Sequence, residues 1–276
     1  MKPEKTPLEL ARVTNAPNSA SEPELSLVVP CYNEAESIPS TLPALCAAFA
    51  RAGHRLEVVA VDNGSSDGTG ECLKALAARG LPLRVVRVEV NRGYGFGILS
   101  GLAHARAPWV GFAHADGQVD PEDAARLFGE LASCGPMTLG KVCRRFRMDG
   151  SWRKFVTACC NLLMRCLWPG LGSLDANGTP KILHRDTLAR MQLQSQRWFL
   201  DAEILIKARH MGVRVLELNA FARPRHRGVS KVRASTSWEF FRDFMRYRFT
   251  GHLGAWKRSL HEGGAERPAL SRSPTP

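Results

Sequence analysis

The short loop HADGQ carries three side chains that could bind a metal ion or an anion. His114, Asp116 and Gln118 alternate along it, directly after the apolar run WVGF. Carboxylate and amide oxygens are ligands that Mg²⁺ prefers, whereas an imidazole suits Mn²⁺ and softer ions. We therefore predict a divalent cation, Mn²⁺ or Mg²⁺, at this loop. Because one of the three side chains is a histidine, the sequence leaves open which of them bind the cation.

Further carboxylates follow other apolar runs. Asp62 in DNGSSDGT comes directly after such a run, where an acid can accept hydrogen bonds from a base or a sugar, and Glu34 in CYNE follows another run by a few residues. Three acids in the second half of the chain, Asp175, Asp201 and Glu203, are candidate general bases. Asp201 and Glu203 also lie near a predicted helix start, where helix capping is the alternative role.

The elements that must position these residues alternate regularly in the first half of the chain. Four β-branched runs are each followed by a helical pattern, which predicts a mostly parallel sheet with helices on both faces. Ligands of such sheets bind beyond the carboxyl ends of the strands. The predicted strands are 25–30, 56–62, 83–90 and 109–115, and the loops that follow them are CYNE, DNGSSDGT, NRGYG and HADGQ.

The second half of the chain is less regular. The alternation of strand and helix patterns ends after Leu139, and a basic amphipathic region at 144–168 follows. A basic, aromatic helix is predicted at 235–249, packed either on the core or at a membrane interface. We predict a single domain between two disordered tails; the ranges are 1–23 (tail), 24–260 (domain, with halves at 24–135 and 136–260) and 261–276 (tail).

The amino-acid composition limits the kinds of binding partner and the cellular compartment that we expect for this protein. The net charge is +12: the stretch from Arg144 to Arg258 carries +15 and the remainder is slightly acidic, so the basic half suits phosphates or anionic lipid head groups. Nucleic acid is not expected, because no helix-turn-helix, zinc-finger or aromatic RNA-binding pattern accompanies the charge. The eight cysteines form no CxxC pair, and we find no signal peptide or apolar run long enough to span a bilayer. We expect a cytoplasmic protein, with peripheral contact at the inner face of the membrane as an option.

Four motifs in order carry a family resemblance. VVPCYNEAESI, DNGSSDGT, NRGYGFGILSGL and HADGQVDPED, followed by RHRGVSK, resemble the family 2 glycosyltransferases of GT-A fold. The dolichol-phosphate mannose synthase-like branch is the most similar, and the resemblance covers about residues 25–231. It implies a Rossmann-like GT-A sheet and transfer of a sugar from a nucleoside-diphosphate sugar with Mg²⁺ or Mn²⁺. Residues 24–135 would then form the nucleotide-binding half, and residues 136–260 the acceptor and diphosphate half.

The resemblance also implies roles for individual residues. Asp116 and Gln118 would lie at the diphosphate and the metal, and a loop in RHRGVSK would close over the diphosphate. The donor-binding residues implied in this way are Pro30, Tyr32, Glu34, Asp62, Asp116, Arg225, Ser230 and Lys231.

Position 114 departs from the family pattern, which has Asp-x-Asp where this chain has His114 and Asp116. Three interpretations remain open. His114 could hydrogen-bond the donor while Asp116 and Gln118 hold the metal, or it could be a direct ligand that favours Mn²⁺. Alternatively the metal site is impaired, and the protein is a non-catalytic nucleotide-sugar-binding protein.

The acceptor implied by the resemblance is a polyprenyl phosphate or another membrane-proximal group. Asp175 matches an aspartate of the lipid-phosphate branch, and Arg147 and Arg153 occupy the place where that branch binds the acceptor phosphate. A generic membrane-surface patch is the alternative for these arginines. An anionic acceptor oxygen would attack with inversion and needs no strong base, whereas a hydroxyl acceptor would need one.

Overall fold

A computed structural model describes residues 11–14, 22–147, 162, 164, 166–171, 173, 175–222 and 234–265. The strands are Ala11–Thr14 (β1), Leu25–Cys31 (β2), Leu56–Asn63 (β3), Leu83–Val88 (β4), Trp109–Phe112 (β5), Thr138–Arg147 (β6), Lys181–His184 (β7) and Arg214–Ala222 (β8). The helices are Ile38–Arg51 (α1), Thr69–Ala78 (α2), Tyr94–Leu102 (α3), Pro121–Ala132 (α4), Arg185–Met191 (α5), Leu200–His210 (α6), Ala234–Phe249 (α7) and His252–Ala265 (α8).

The strands form one sheet in the order β1-β4-β3-β2-β5-β7-β6-β8. Strands β4, β3, β2 and β5 are parallel neighbours, as expected for strands joined by helices. Strand β7 runs antiparallel to both β5 and β6, while β6 and β8 are parallel. The prediction of a mostly parallel α/β sheet is confirmed.

Alternate side chains of the central strands pack on opposite faces of the sheet. Leu27 joins a core with Phe49 of α1 and Phe128 of α4. Val28 joins a second core with Phe96 of α3 and Ile204 of α6. A strand buried on both faces is apolar at successive positions, which explains the continuous runs in the sequence. Both faces carry helices, as predicted.

Helix α4 shows how the local sequence sets an element that borders the site. The side chain of Asp120 accepts a hydrogen bond from the backbone N–H of Glu122, and Pro121 occupies the first turn. Both features favour helix initiation, and the acids of the first turn complement the helix dipole. The loop 113–120 is therefore fixed between the end of β5 and a firmly capped helix.

Three elements differ from the sequence predictions. Strand β1 lies inside the segment 1–23 that we predicted to be a disordered tail, and pairs antiparallel with β4, covering an edge that would otherwise be open. Strand β6 occupies the region where we predicted the alternation to fail, because its backbone pairs with β8 in spite of its arginines. Helix α8 extends to Ala265, past the predicted boundary at residue 261.

The sheet continues across the boundary predicted at residues 135 and 136. Strand β5, from the first half, pairs with β7, from the second, in the register Trp109↔His184 to Phe112↔Lys181. Lys181 is therefore a direct neighbour of the strand that leads into HADGQ. None of the helices within the described ranges is long and apolar enough to cross a membrane.

Candidate active site

The parallel strands bring the polar loops of the first half to one edge of the sheet. Cys31 at the end of β2 pairs with Asp62 at the end of β3, and β5 lies on the other side of β2. The loops after β2, β3 and β5 therefore open at the same edge. We call the side chains at this edge and at the adjoining ends of α3 and β7 the strand-end site; the members used below are His114, Asp116, Tyr94, Thr179, Lys181, Asp201, Arg144 and Asp175.

Two loops beside the strand-end site are tied together. The side-chain oxygen of Asn33 accepts a hydrogen bond from the backbone N–H of Ser66 at 2.9 Å. In return, the backbone N–H of Asn33 donates to Ser65 Oγ at 3.1 Å. Asn33 adopts a φ of 51°, a left-handed conformation that asparagine tolerates well. Pro30 and Tyr32, predicted to bind the nucleoside, are half-buried beside this connection.

The two acids predicted at the nucleoside already make protein contacts. Asp62 is buried, accepts a hydrogen bond from the backbone N–H of Ser65 at 3.0 Å and forms an ion pair with Arg87. Glu34 accepts a hydrogen bond from Ser37 Oγ at 2.8 Å. Both acids are therefore tied to neighbouring residues of the protein.

His114 is held by two hydroxyl groups. Its Nε2 lies 2.9 Å from the Tyr94 hydroxyl, and its Nδ1 lies 3.3 Å from Thr179 Oγ1. The Tyr94 ring stacks on Trp198, with ring centroids 4.7 Å apart and an angle of 13° between the planes. Both ring nitrogens of His114 therefore face protein hydroxyls.

Asp201 connects this histidine cluster to a buried cation. It forms an ion pair with Lys181, and both side chains are almost fully excluded from solvent. Burial, then the charge of Asp201, raises the pKa of Tyr94 well above its ordinary value, and a hydrogen bond to Asp201 contributes. Burial lowers the pKa of Lys181 to about 8, although Asp201 opposes that shift. Burial also lowers the pKa of His114, against the charges of Asp116 and Asp201.

Asp175 is fixed by a second cation. Arg144 donates from Nε to Asp175 Oδ2 at 2.9 Å and from Nη2 to Oδ1 at 3.1 Å, a two-point contact. The ammonium of Lys141 donates to the Asp175 carbonyl at 2.6 Å. Burial alone would raise the pKa of Asp175, but the hydrogen bonds and charge of Arg144 hold it far below the ordinary value. Asp175 is therefore an ionised partner of Arg144 and a weak base.

A cavity of about 210 Å³ adjoins the strand-end site. Asp116 and Gln118 line it from one side, and Leu42 and Leu45 of α1 from the other. His114, Arg144 and Thr179 also contribute to its wall. Its volume suits part of a donor, and the rest would extend along the open strand ends.

Glu203 lies elsewhere, although the sequence placed it beside Asp201. The two residues are two positions apart on α6, about 200° around the helix, so they face opposite directions. Glu203 accepts hydrogen bonds from the backbone N–H groups of Gln194 and Ser195 and pairs with Lys207 at 2.6 Å. It lines a second cavity, of about 490 Å³, against α7 and α8. The structure does not bring Glu203 to the strand-end site.

The side chains around Asp116 suit a divalent cation that is also bound by a phosphate group of a ligand. Within the described ranges, no three His, Cys, Asp or Glu side chains form a cluster that could hold a metal by themselves. Cations such as Mg²⁺ are commonly bound by one or two carboxylates together with substrate phosphates. Asp116 supplies such a carboxylate, and the backbone N–H of Gln118 orients it by donating to Oδ1 at 3.2 Å.

Several predicted residues cannot be placed at the site. Arg153, Arg225, Ser230 and Lys231 lie outside the described residues, and Arg147 is described only as the last residue of β6. The structure adds Tyr94, Thr179 and Lys181, which we did not predict. Tyr94 lies in the NRGYG loop, so its position after a strand was a usable signal. The sequence carries no comparable signal for Thr179 and Lys181, because the loop and the strand that contain them follow an irregular stretch of the chain.

Comparisons with known proteins agree with this arrangement. The family model described as glycosyl transferase family 2 matches residues 26–190. Dodecaprenyl-phosphate galacturonate synthase of Rhizobium johnstonii is 30% identical over 265 residues, covering 90% of this chain and 76% of the relative. Undecaprenyl-phosphate 4-deoxy-4-formamido-L-arabinose transferase of Pseudomonas aeruginosa is 38% identical over 143 residues, which span 51% of this chain and 41% of the relative.

A solved structure of similar fold is glucosyl-3-phosphoglycerate synthase from Mycobacterium tuberculosis, in complex with Mn²⁺, UDP and glucosyl-3-phosphoglycerate. Its TM-score is 0.63 at 20% identity, with 82% of this chain and 80% of that chain covered. This likeness confirms the predicted GT-A fold. The matched motifs, the strand-end site and the extent of the alignments lead to one conclusion: the chain belongs to glycosyl transferase family 2.

Proposed function

We propose that the protein transfers a sugar, with inversion, from a nucleoside-diphosphate sugar to a polyprenyl phosphate or another membrane-proximal anionic acceptor. One observation carries the proposal. The two acids of the strand-end site that could serve as a general base, Asp175 and Asp201, are each held by a cation, Arg144 and Lys181. When both candidate bases among the described residues are paired in this way, the site suits an acceptor whose oxygen is already charged.

The donor would lie along the strand ends. Pro30, Tyr32 and Glu34 would border the nucleoside with Asp62, and Asp116 would face the diphosphate. A divalent cation bound with the donor would neutralise charge on the departing diphosphate. By the family resemblance, Arg225, Ser230 and Lys231 would close over the same group; their side chains lie outside the described residues.

The acceptor would approach on the side of Arg144. Arg147 and Arg153 are the proposed contacts for its phosphate, because arginine binds such anions at two points. An acceptor phosphate oxygen would form a bond to the anomeric carbon while the bond from that carbon to the diphosphate oxygen breaks. The bonding electron pair leaves with the nucleoside diphosphate. The names of two relatives, which contain dodecaprenyl phosphate and undecaprenyl phosphate, support this class of acceptor.

A two-stage experiment tests the proposal. UDP-, GDP- and dTDP-sugars are first screened with Mn²⁺ and Mg²⁺ by thermal shift, because a bound donor raises the apparent melting temperature. The donor that binds is then incubated with undecaprenyl phosphate, and the anomeric configuration of the lipid product is read by NMR. We expect an inverted sugar phosphate. Donor binding without transfer to this lipid or to hydroxyl acceptors would overturn the proposal and favour a non-catalytic nucleotide-sugar-binding protein.

Asp116→Asn provides a matched test of the metal-facing carboxylate. It should abolish the part of the thermal shift that depends on the metal, because the amide carries no charge to bind the cation. Asp123→Asn removes a carboxylate from an ion pair on the surface of α4 and should leave that shift unchanged. An equal loss in both variants would contradict a specific role for Asp116.

A further inference from the structure

Tyr94 occupies the Nε2 side of the His114 ring. Its hydroxyl oxygen lies 2.9 Å from Nε2. A hydroxyl group can donate or accept a hydrogen bond, so Tyr94 satisfies this nitrogen in either tautomer of the ring. Nε2 is therefore engaged by a group of the protein.

The other nitrogen of the ring is also engaged. Thr179 Oγ1 lies 3.3 Å from His114 Nδ1, and Thr179 is almost fully buried. A metal ion bound to Nδ1 would have to displace this buried hydroxyl. At Nε2 the Tyr94 hydroxyl, at 2.9 Å, occupies the direction in which an imidazole binds a metal.

Tyr94 is itself rigidly placed at the start of α3. Its ring stacks on Trp198. Two residues further on, the backbone N–H of Phe96 donates a hydrogen bond to the Gln196 carbonyl at 2.8 Å. A Cβ atom at Gly95 would lie 2.8 Å from the Arg197 carbonyl oxygen, so this backbone contact requires glycine. The segment 195–198 therefore holds the tyrosine against the histidine.

From this geometry we infer that Tyr94 is a positioning residue which, together with Thr179, holds His114 outside the coordination shell of the metal. Asp116 then supplies the protein carboxylate, and the donor diphosphate supplies further oxygens. The histidine thus replaces an acidic ligand by a hydrogen-bonded support that links the metal-facing loop to Tyr94 of α3 and to Thr179. The inference rests on the proposed function only in assigning a metal and donor to this site.

The first test reads the ring directly and needs no ligand. In protein labelled with ¹⁵N-histidine, the ring resonances of His114 are assigned by their absence from His114→Gln. Tyr94→Phe keeps the ring stack but removes the hydroxyl, and it should shift the Nε2 resonance. Tyr247→Phe is the matched control, since the buried Tyr247 hydroxyl has no hydrogen-bond partner among the described residues. An Nε2 resonance that Tyr94→Phe leaves unchanged, or equal shifts in both variants, would overturn the inference.

The second test asks whether the imidazole binds metal. Mn²⁺ is added with UDP, GDP or dTDP, whichever stabilises the protein most, and electron spin-echo modulation detects nitrogen bound to the ion. We expect no histidine nitrogen signal, and a Mn²⁺ affinity of His114→Ala within about twofold of wild type. A nitrogen signal that His114→Ala removes, or a roughly tenfold loss of affinity, would overturn the inference. Failure of every nucleotide to bind would count against the proposed function instead, and the ligand-free NMR result would still decide the role of Tyr94.

Discussion

At the scale of single residues, burial and pairing change what a carboxylate can do. Asp175 and Asp201 have the residue type of a general base, yet each is held in an ion pair, Asp175 with Arg144 and Asp201 with Lys181. Removing one partner from a buried pair leaves an uncompensated charge, which costs far more than an exposed pair contributes. The cations that weaken these acids as bases also give the strand-end site positive groups that can face an anion.

Asp175→Asn should show a stability defect that depends on pH. Because the folded-state pKa of Asp175 is lowered, its ionised form stabilises the fold above the unfolded pKa of about 4, and this contribution is lost as the pH falls towards the folded-state value. The deficit of the variant should therefore be largest near pH 7 and shrink by roughly 1 kcal/mol per pH unit below about pH 4. Urea unfolding at pH 7 and pH 3 measures it, and a deficit independent of pH would contradict the Arg144 pairing.

Glu203→Gln separates a structural role from a catalytic one. The change leaves the Lys207 ammonium without its buried charged partner, so we expect a loss of roughly 3 kcal/mol in the free energy of unfolding. Because Glu203 lies away from the strand-end site, kcat of the folded variant should stay close to the wild-type value. Glu239→Gln, in an ion pair with Arg197 that is about half exposed, is the control and should lose under about 1 kcal/mol. A large fall in kcat with unchanged stability would restore the catalytic assignment of Glu203.

At the scale of elements, α3 positions the residue that contacts His114. This helix packs on β2 and β3 through Gly101, where an added Cβ would overlap Val28 and lie 2.8 Å from Val61 Cγ2. The close approach sets the height of the helix above the sheet. Tyr94 is the first residue of the same helix, so its position relative to the strand ends depends on that contact.

Gly101→Ala should therefore affect both stability and the site. Overpacking at this contact should cost about 1–3 kcal/mol in the free energy of unfolding, and the displaced helix should weaken donor binding. Gly135→Ala is the control, because a Cβ at that position would meet nothing within 4 Å. Urea unfolding and the thermal shift caused by donor measure the two effects. Equal stability of both variants would show that α3 does not depend on this approach.

The elements differ in how far the sequence predicts them. The four strand-and-helix units of the first half were predicted because each apolar run is buried on both sides and each helix has its own periodicity. Strand β6 was missed because Arg144, Arg145 and Arg147 break the apolar pattern, while its backbone is satisfied by pairing with β8. Strand β1 was missed because a strand of four residues depends on the edge it joins.

At the scale of the whole molecule, the positive charge of the second half is partly displayed on α7. Arg242, Arg246 and Arg248 are exposed on this helix, and Phe249 beside them is 67% exposed. Phe244, by contrast, is buried against Trp168 and Phe199. The helix thus packs on the core and still presents basic and aromatic groups to solvent, so the two roles left open by the sequence are compatible.

We therefore expect the protein to bind anionic vesicles. It should sediment with vesicles that contain phosphatidylglycerol and not with pure phosphatidylcholine, and binding should weaken as salt is raised. Replacing Arg242 and Arg248 together by Gln should cost about 2 kcal/mol of binding free energy, roughly a thirtyfold loss of affinity. Arg126→Gln, an exposed change on α4, is the control. Equal binding to both lipids would contradict the prediction.

The sequence by itself determined the succession of four strand-and-helix units along the first half of the chain and the polar loops that follow the strands. It also determined that Glu34, Asp62 and Asp116 lie at one edge of the sheet. These follow from periodicity and from the rule that parallel strands end on the same side. Only the tertiary structure decided that Tyr94 and Thr179 contact His114 and that Glu203 lies away from the strand-end site. It also decided that Asp175 and Asp201 are paired with the side chains of Arg144 and Lys181. Such contacts join residues far apart in the chain, and their geometry depends on how the helices pack on the sheet, which local sequence does not specify.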